Sequence, residues 1–123
     1  MAPKREDNQF SPSDYLTDMD GVIKHLTLRA MAAGNNGDFR SAFTDIEVAL
    51  WLSQSLKMKC MEAVLLNNLG LLYTMTGAWD KGMLSFDRAM ELAMEYCPSQ
   101  NNFLNTLKKN ISALFSPKIS THE

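Results

Sequence analysis

Only two of the 123 residues are cysteine and only two are histidine. No run approaches the roughly 20 apolar residues that cross a bilayer. Each shortage excludes something. Cys60 and Cys97 stand far apart and offer too few ligands at too wide a spacing for a zinc site or a disulfide framework, so reduced, partly buried thiols are expected. His25 has no Cys or carboxylate placed to make a metal pair on one helical face, and His122 sits in the tail. Without a transmembrane run, no membrane partner is expected. The charged start Met1–Phe10 lacks the apolar core of a signal peptide, so the chain is expected to stay where it is made, in the cytoplasm. Basic charge is short as well: the net charge is −2 and the pI near 5.6, which leaves no electropositive field for a phosphate backbone, and no nucleic-acid partner is expected. No nucleophile, base and orienting group come together, and Gly34 and Gly37 lack the Lys-Ser/Thr that would make a phosphate loop, so neither enzyme activity nor a cofactor is expected.

What the chain does have is hydrophobic content, 46% of residues against 21% charged, enough for one ordinary core. Residues 1–13 mix charge, Pro3 and Pro12, and read as a loose leader. Ser11-Pro12-Ser13-Asp14 has the form of a helix start, with Ser11 as cap and Pro12 in the first helical position. Gly21 interrupts the helical stretch begun there, so Asp18 or Asp20 can cap a fresh start instead. Apolar residues then recur with helical spacing. Ile23, Leu26, Ala30 and Ala33 form one stripe, which Gly34-Asn35-Asn36-Gly37 ends. Phe39, Ala42, Phe43, Ile46, Ala49, Leu50, Ser53 and Leu56 form the second. Ala63, Leu66, Leu69, Gly70 and Tyr73 form the third, which ends near Thr76-Gly77. Trp79, Met83, Phe86, Ala89, Met90 and Ala93 form the fourth, closed by Pro98, and Met83, Met90 and Met94 read as core filler on it. Phe103, Leu104, Leu107, Ile111, Leu114 and Phe115 form the last, before Pro117 and a polar tail. Only the boundary near Ser55–Lys59 lacks Gly or Pro. No segment alternates with period two, so the expected fold is all-α with about five antiparallel helices.

A shift of forty residues brings the helices into register. Gly37 meets Gly77, Phe39 meets Trp79, Ala42 meets Gly82, Ile46 meets Phe86, Ala49 meets Ala89 and Leu52 meets Leu92. Upstream, Leu26 meets Leu66 and Ala30 meets Gly70. Small residues recur where helices approach and large ones where a gap is filled, the mark of a stacked-repeat architecture. Leu66-x-x-Leu69-Gly70-x-x-Tyr73, followed by Gly77, Gly82, Phe86 and Ala89, resembles the tetratricopeptide motif in its long-repeat form. It departs from that motif in Gly82, where Ala is usual, and Met94, where Pro is usual. Arg29 also occupies a normally apolar place, reasonable at the open end of a stack. The resemblance implies repeats over about 20–57 and 58–97 and a capping helix over about 101–115, within a helical domain of 14–116 and before a tail of 117–123.

The resemblance also implies a protein-interaction module, an adaptor or chaperone-like subunit, whose groove is lined by the first helix of each repeat. Position by position, that groove presents Lys24, Thr27, Leu28 and Met31, then Val64, Asn67, Asn68, Leu71, Thr74 and Met75. Its Asn and Thr side chains are expected to bond a peptide backbone and its Met and Leu to accept varied side chains, unless several instead pack on the capping helix. The carboxylate clamp of the chaperone-binding subtype is mostly missing. Asn68 matches one arm, but Thr27, Met31, Asn102 and Thr106 stand where Lys, Asn or Arg is needed. A second candidate contact is Val48 with Trp51, which share a face outside the apolar stripe of their helix. Either another chain or the leader, through Phe10 or Tyr15, can cover that pair. The expected partner is a protein or peptide, and the alternative is a self-associating subunit of a homo-oligomer, since a stack of two repeats and a cap falls short of the usual three.

Overall fold

The computed structural model describes residues 12–97, 99 and 101–115, with side chains from Asp18 onward. Among these residues the fold is all-α: helices α1 (Pro12–Asn35), α2 (Phe39–Ser55), α3 (Lys59–Met75), α4 (Trp79–Tyr96) and α5 (Asn101–Phe115), with no strand. Pro12 does occupy the first position of α1, and the helix continues through Gly21, so there is no fresh start at Asp18 or Asp20. The Ser11 cap and the rest of the leader up to it, Pro98, and Pro117 with the tail lie outside the described residues, as do the side chains of Phe10 and Tyr15. Pro12 and Ser13, the last two leader residues, belong to α1.

The three turns that join α1 to α4 repeat one geometry at a pitch of twenty residues. In each, the residue after the helix cap has positive φ: Gly37 at 86°, Lys57 at 57° and Gly77 at 83°. The amide of the next residue then reaches back five positions, Asp38 to Ala33 O, Met58 to Ser53 O and Ala78 to Tyr73 O, each at 2.8 Å. This is the Schellman closure, which satisfies carbonyls the helix end leaves over. The α2–α3 boundary is therefore as regular as the other two. It is hard to see in the sequence because Lys57 bears a left-handed conformation that costs a side-chain-bearing residue about 1 kcal/mol and glycine almost nothing.

The hairpins α1–α2 and α3–α4 are the most extensive contacts, α2–α3 and α4–α5 join them, and α1–α3 and α3–α5 build a second layer. Two apolar clusters result. Ile23, Ala30, Ala42, Ile46, Ala49, Leu50, Leu65 and Leu72 fill the first. Ala63, Phe86, Ala89, Leu92, Ala93, Cys97 and Leu107 fill the second, with Phe103, Leu104, Ile111 and Leu114 packed against it. Leu66 touches both. Of the residues paired by the forty-residue shift, Ala30 and Gly70, Ala42 and Gly82, Ile46 and Phe86, and Ala49 and Ala89 are buried at corresponding positions, whereas Trp79, opposite Phe39, is 47% exposed and Gly37 and Gly77 lie in exposed turns.

Close approach explains the glycines of the second hairpin. A Cβ on Gly70 would lie 2.5 Å from the Phe86 ring, and one on Gly82 would lie 2.9 Å from Thr74 Cγ2 and 3.2 Å from the Gly70 carbonyl. Gly82 in place of Ala is thus what lets α4 settle against the backbone of α3 beside Gly70. Met94 departs from the sequence reading: it is 64% exposed, and so is no core filler, whereas Met83 and Met90 are half-buried. The stripe of α4 turns inward through Ala89, Leu92 and Ala93, which leaves Met94 one step around the helix toward solvent.

Candidate functional site

The repeat register puts α1 beside α3, and between them lies a cleft of about 350 Å³ walled by Lys24, Thr27, Leu28, Met61 and Val64. Leu28 is 73% exposed and adds its side chain to the apolar wall of the cleft. Val64 and Met61 are half-buried and make the floor. The Thr27 hydroxyl donates to the Ile23 carbonyl at 2.7 Å, so its donor is spent within its own helix. Lys24 sits on the rim, its Nζ 3.0 Å from Asp20 Oδ2. The cleft is therefore almost wholly carbon, with one cation at its edge. Sequence reasoning misses Met61, because the repeat motif gives no weight to the first turn of α3.

The remaining groove residues divide. Met31 is half-buried and packs against the first core cluster. Asn67 is only 7% exposed and lies under the capping helix, where Asn110 Nδ2 donates to its Oδ1 at 2.7 Å. Leu71 packs against the second cluster, and Thr74 donates to the Leu71 carbonyl at 2.8 Å. Leu71, Thr74 and Met75, with Trp79, Phe86, Asn110, Ala113 and Leu114, line a smaller hollow of about 180 Å³. Asn68 is half-buried. In the second half of the expected groove several residues pack beside α5, the alternative that the sequence left open: the Asn67 side-chain oxygen and the Thr74 hydroxyl serve internal bonds, while Met75 stays 44% exposed. The apolar cleft between α1 and α3 is open as well.

On the opposite layer, Val48 and Trp51 of α2 are 43% and 64% exposed and one turn apart. The corresponding positions of α4 carry Arg88 and Glu91, ion-paired to each other at 3.2 Å.

An ion pair joins α1 to α2. Arg29 is exposed, as expected of a charge at an open end, and it is also paired. Its Nε lies 2.8 Å from Asp45 Oδ2 and its Nη2 3.0 Å from Asp45 Oδ1, a two-pronged pair in which Asp45 is buried. The hydrogen bonds from Arg29 hold the Asp45 carboxyl below its ordinary range, against the opposing effect of burial, with smaller help from the charges of Arg29 and His25. The same bonds raise the Arg29 guanidinium. A carboxyl lowered on folding stabilises fully above its unfolded value of about 4 and loses that contribution as pH falls through the lowered folded value. Wild-type stability should accordingly fall below pH 4 by more than that of Asp45→Asn, with parallel curves above about pH 5. Urea melts at stepped pH would show this, and equal acid sensitivity of the two proteins would rule the pair out as its source.

The cysteines correct the sequence reading outright. Cys60, in the first turn of α3, and Cys97, at the C-cap of α4, form a disulfide with Cα atoms 5.8 Å apart, within the usual span of about 4.4–6.8 Å. Their separation of 37 residues misleads because it is the path up one helix of a hairpin and down the next, which returns to its start. Among the described residues no group of His, Cys, Asp or Glu could hold a metal ion, and no helix is long and apolar enough to cross a membrane. No known family model, curated protein or solved structure matches this chain significantly.

Proposed function

We propose that the chain is a protein-interaction module of the tetratricopeptide kind, an adaptor or chaperone-like subunit rather than an enzyme. In this reading it takes a partner's apolar side chain into the cleft between α1 and α3. One observation carries it: Leu28 stands 73% exposed beside an open, carbon-lined cleft shared with Met61 and Val64. Spent donors on Thr27 mean that side-chain insertion, more than hydrogen bonding to a peptide backbone, supplies the attraction. The forty-residue register and the tetratricopeptide resemblance support the same reading.

A second reading rests on Trp51 and Val48. An indole 64% exposed beside a valine is a fitting anchor for self-association into a homo-oligomer or larger complex. One experiment separates the two. A displayed peptide library panned on the wild-type protein should enrich sequences with a recurring large apolar residue. Leu28→Asp should lose them while its melting temperature holds, because exposed substitutions stay within about 0.5 kcal/mol. If Trp51→Ala loses them and Leu28→Asp does not, the binding face is the α2 surface. If nothing enriches and light scattering shows a dimer that Trp51→Ala dissociates, the self-associating reading replaces the first.

A further inference from the structure

Cys60 and Cys97 sit in unlike surroundings at a joint of the fold. Cys97 is 3% exposed and belongs to the second apolar cluster with Phe86, Leu92 and Leu107. It is the last described residue of α4 before the connection to α5, so its sulfur sits where the capping helix is hung. Cys60 is partly exposed and lies in the first turn of α3. That turn has no side-chain cap, since Met58 in the cap position offers none, and the first backbone bond runs from the Glu62 amide to the Met58 carbonyl. The amides ahead of it favour negative charge, part of which the buried Glu62 carboxylate of the same turn already supplies. Cys60 Sγ also lies 3.2 Å from the Tyr96 carbonyl, an oxygen to which its S–H can donate in the dithiol state. The pair thus combines a sulfur that small thiols can reach with one they cannot.

We propose that Cys60 and Cys97 are a redox-active pair that exchanges with small-molecule disulfides of the glutathione class, with Cys60 as the attacking and attacked sulfur and Cys97 as the resolving one. On oxidation, the Cys60 thiolate attacks one sulfur of the small disulfide. This forms a mixed disulfide and expels one small thiolate. The Cys97 thiolate then attacks Cys60 Sγ, closing the protein bond and releasing the second thiolate. The protein loses two protons and two electrons, and the small disulfide gains them as two thiols. Reduction runs the same steps backward, entering at Cys60. The closed bond joins the start of α3 to the end of α4, and so fixes the ground on which Leu107 and Phe103 of α5 rest. The open form frees the end of α4 and loosens the capping helix, together with the half of the groove that it covers through Asn110 and Asn67.

The test uses the full chain in glutathione buffers, read by intact mass and by alkylation of free thiols. Native protein moved to the reduced buffer should gain two hydrogens without unfolding, and should lose them again in the oxidised buffer. Reduced Cys97→Ser should take up one glutathione at Cys60 and keep it. Reduced Cys60→Ser should react about tenfold or more slowly. Hydrogen exchange in α5 should quicken on reduction and be as fast in Cys97→Ser under either buffer. The proposal is overturned if the native dithiol stays alkylatable in excess oxidised glutathione, or if the bond closes only after denaturation. Equal labelling of the two single variants, or α5 exchange indifferent to the bond, overturns it as well.

Discussion

Phe86→Ala should cost about 3–5 kcal/mol and Gly70→Ala about 1–3 kcal/mol, yet the double variant should cost clearly less than the two together. Phe86 is 1% exposed at the centre of the second cluster, so its truncation leaves a cavity as well as losing the transfer energy of the ring. Gly70 fails for the opposite reason: its new Cβ would sit 2.5 Å from that ring and force α3 and α4 apart. Remove the ring and the methyl group gains a place to go. A double-mutant cycle by urea denaturation should therefore give an interaction energy between about 0.5 and 3 kcal/mol. Additivity within about 0.5 kcal/mol would mean that the ring and the glycine do not meet, and the close crossing of the second hairpin would have to be abandoned.

Opening the disulfide should produce the other large effect. For a loop of 37 residues, chain-entropy reasoning gives about 4 kcal/mol of stabilisation relative to the dithiol, and a chain of this size should melt on the order of 15 °C lower in excess reductant. Cys60→Ser should melt near the reduced wild type and ignore the reductant. A wild type whose melting temperature is unmoved by reductant, with both thiols shown free by alkylation, would remove the bond from the forces that hold the fold.

Helical stripes and the forty-residue shift are legible in the sequence because burial on one helix face leaves a period of 3.6, and a repeated crossing leaves repeated small residues, as at Ala49 and Ala89 or Ala30 and Gly70. Lys57 conceals a turn because its backbone does what glycine ordinarily does. Asp45 escapes notice because a carboxylate on a core-facing position looks like an interruption until its partner, sixteen residues upstream, is placed beside it. For the same reason the partner of Arg29, an exposed charge, does not show in the sequence. The groove is legible as a set of positions, but its chemistry is not. The donor of Thr27 is taken by its own helix and the amide of Asn67 by Asn110, and only a helix-by-helix account of hydrogen bonds reveals both.

The identical turns bear on how such a chain folds. Helices α1, α2 and α3 each meet the next after a single tight reversal, and most of the packing between helices joins neighbours in the chain, which keeps the entropy lost in search modest. Chains built this way begin from whichever hairpin first gathers its side chains and spread from there, much as a row of coupled spins orders from a seed. Here α3–α4 holds the largest contact and the tightest fit, which makes it the natural seed, with α1–α2 joining from one side and α5 from the other. Folding in that order would bring Cys60 and Cys97 together before the ends of the chain are in place.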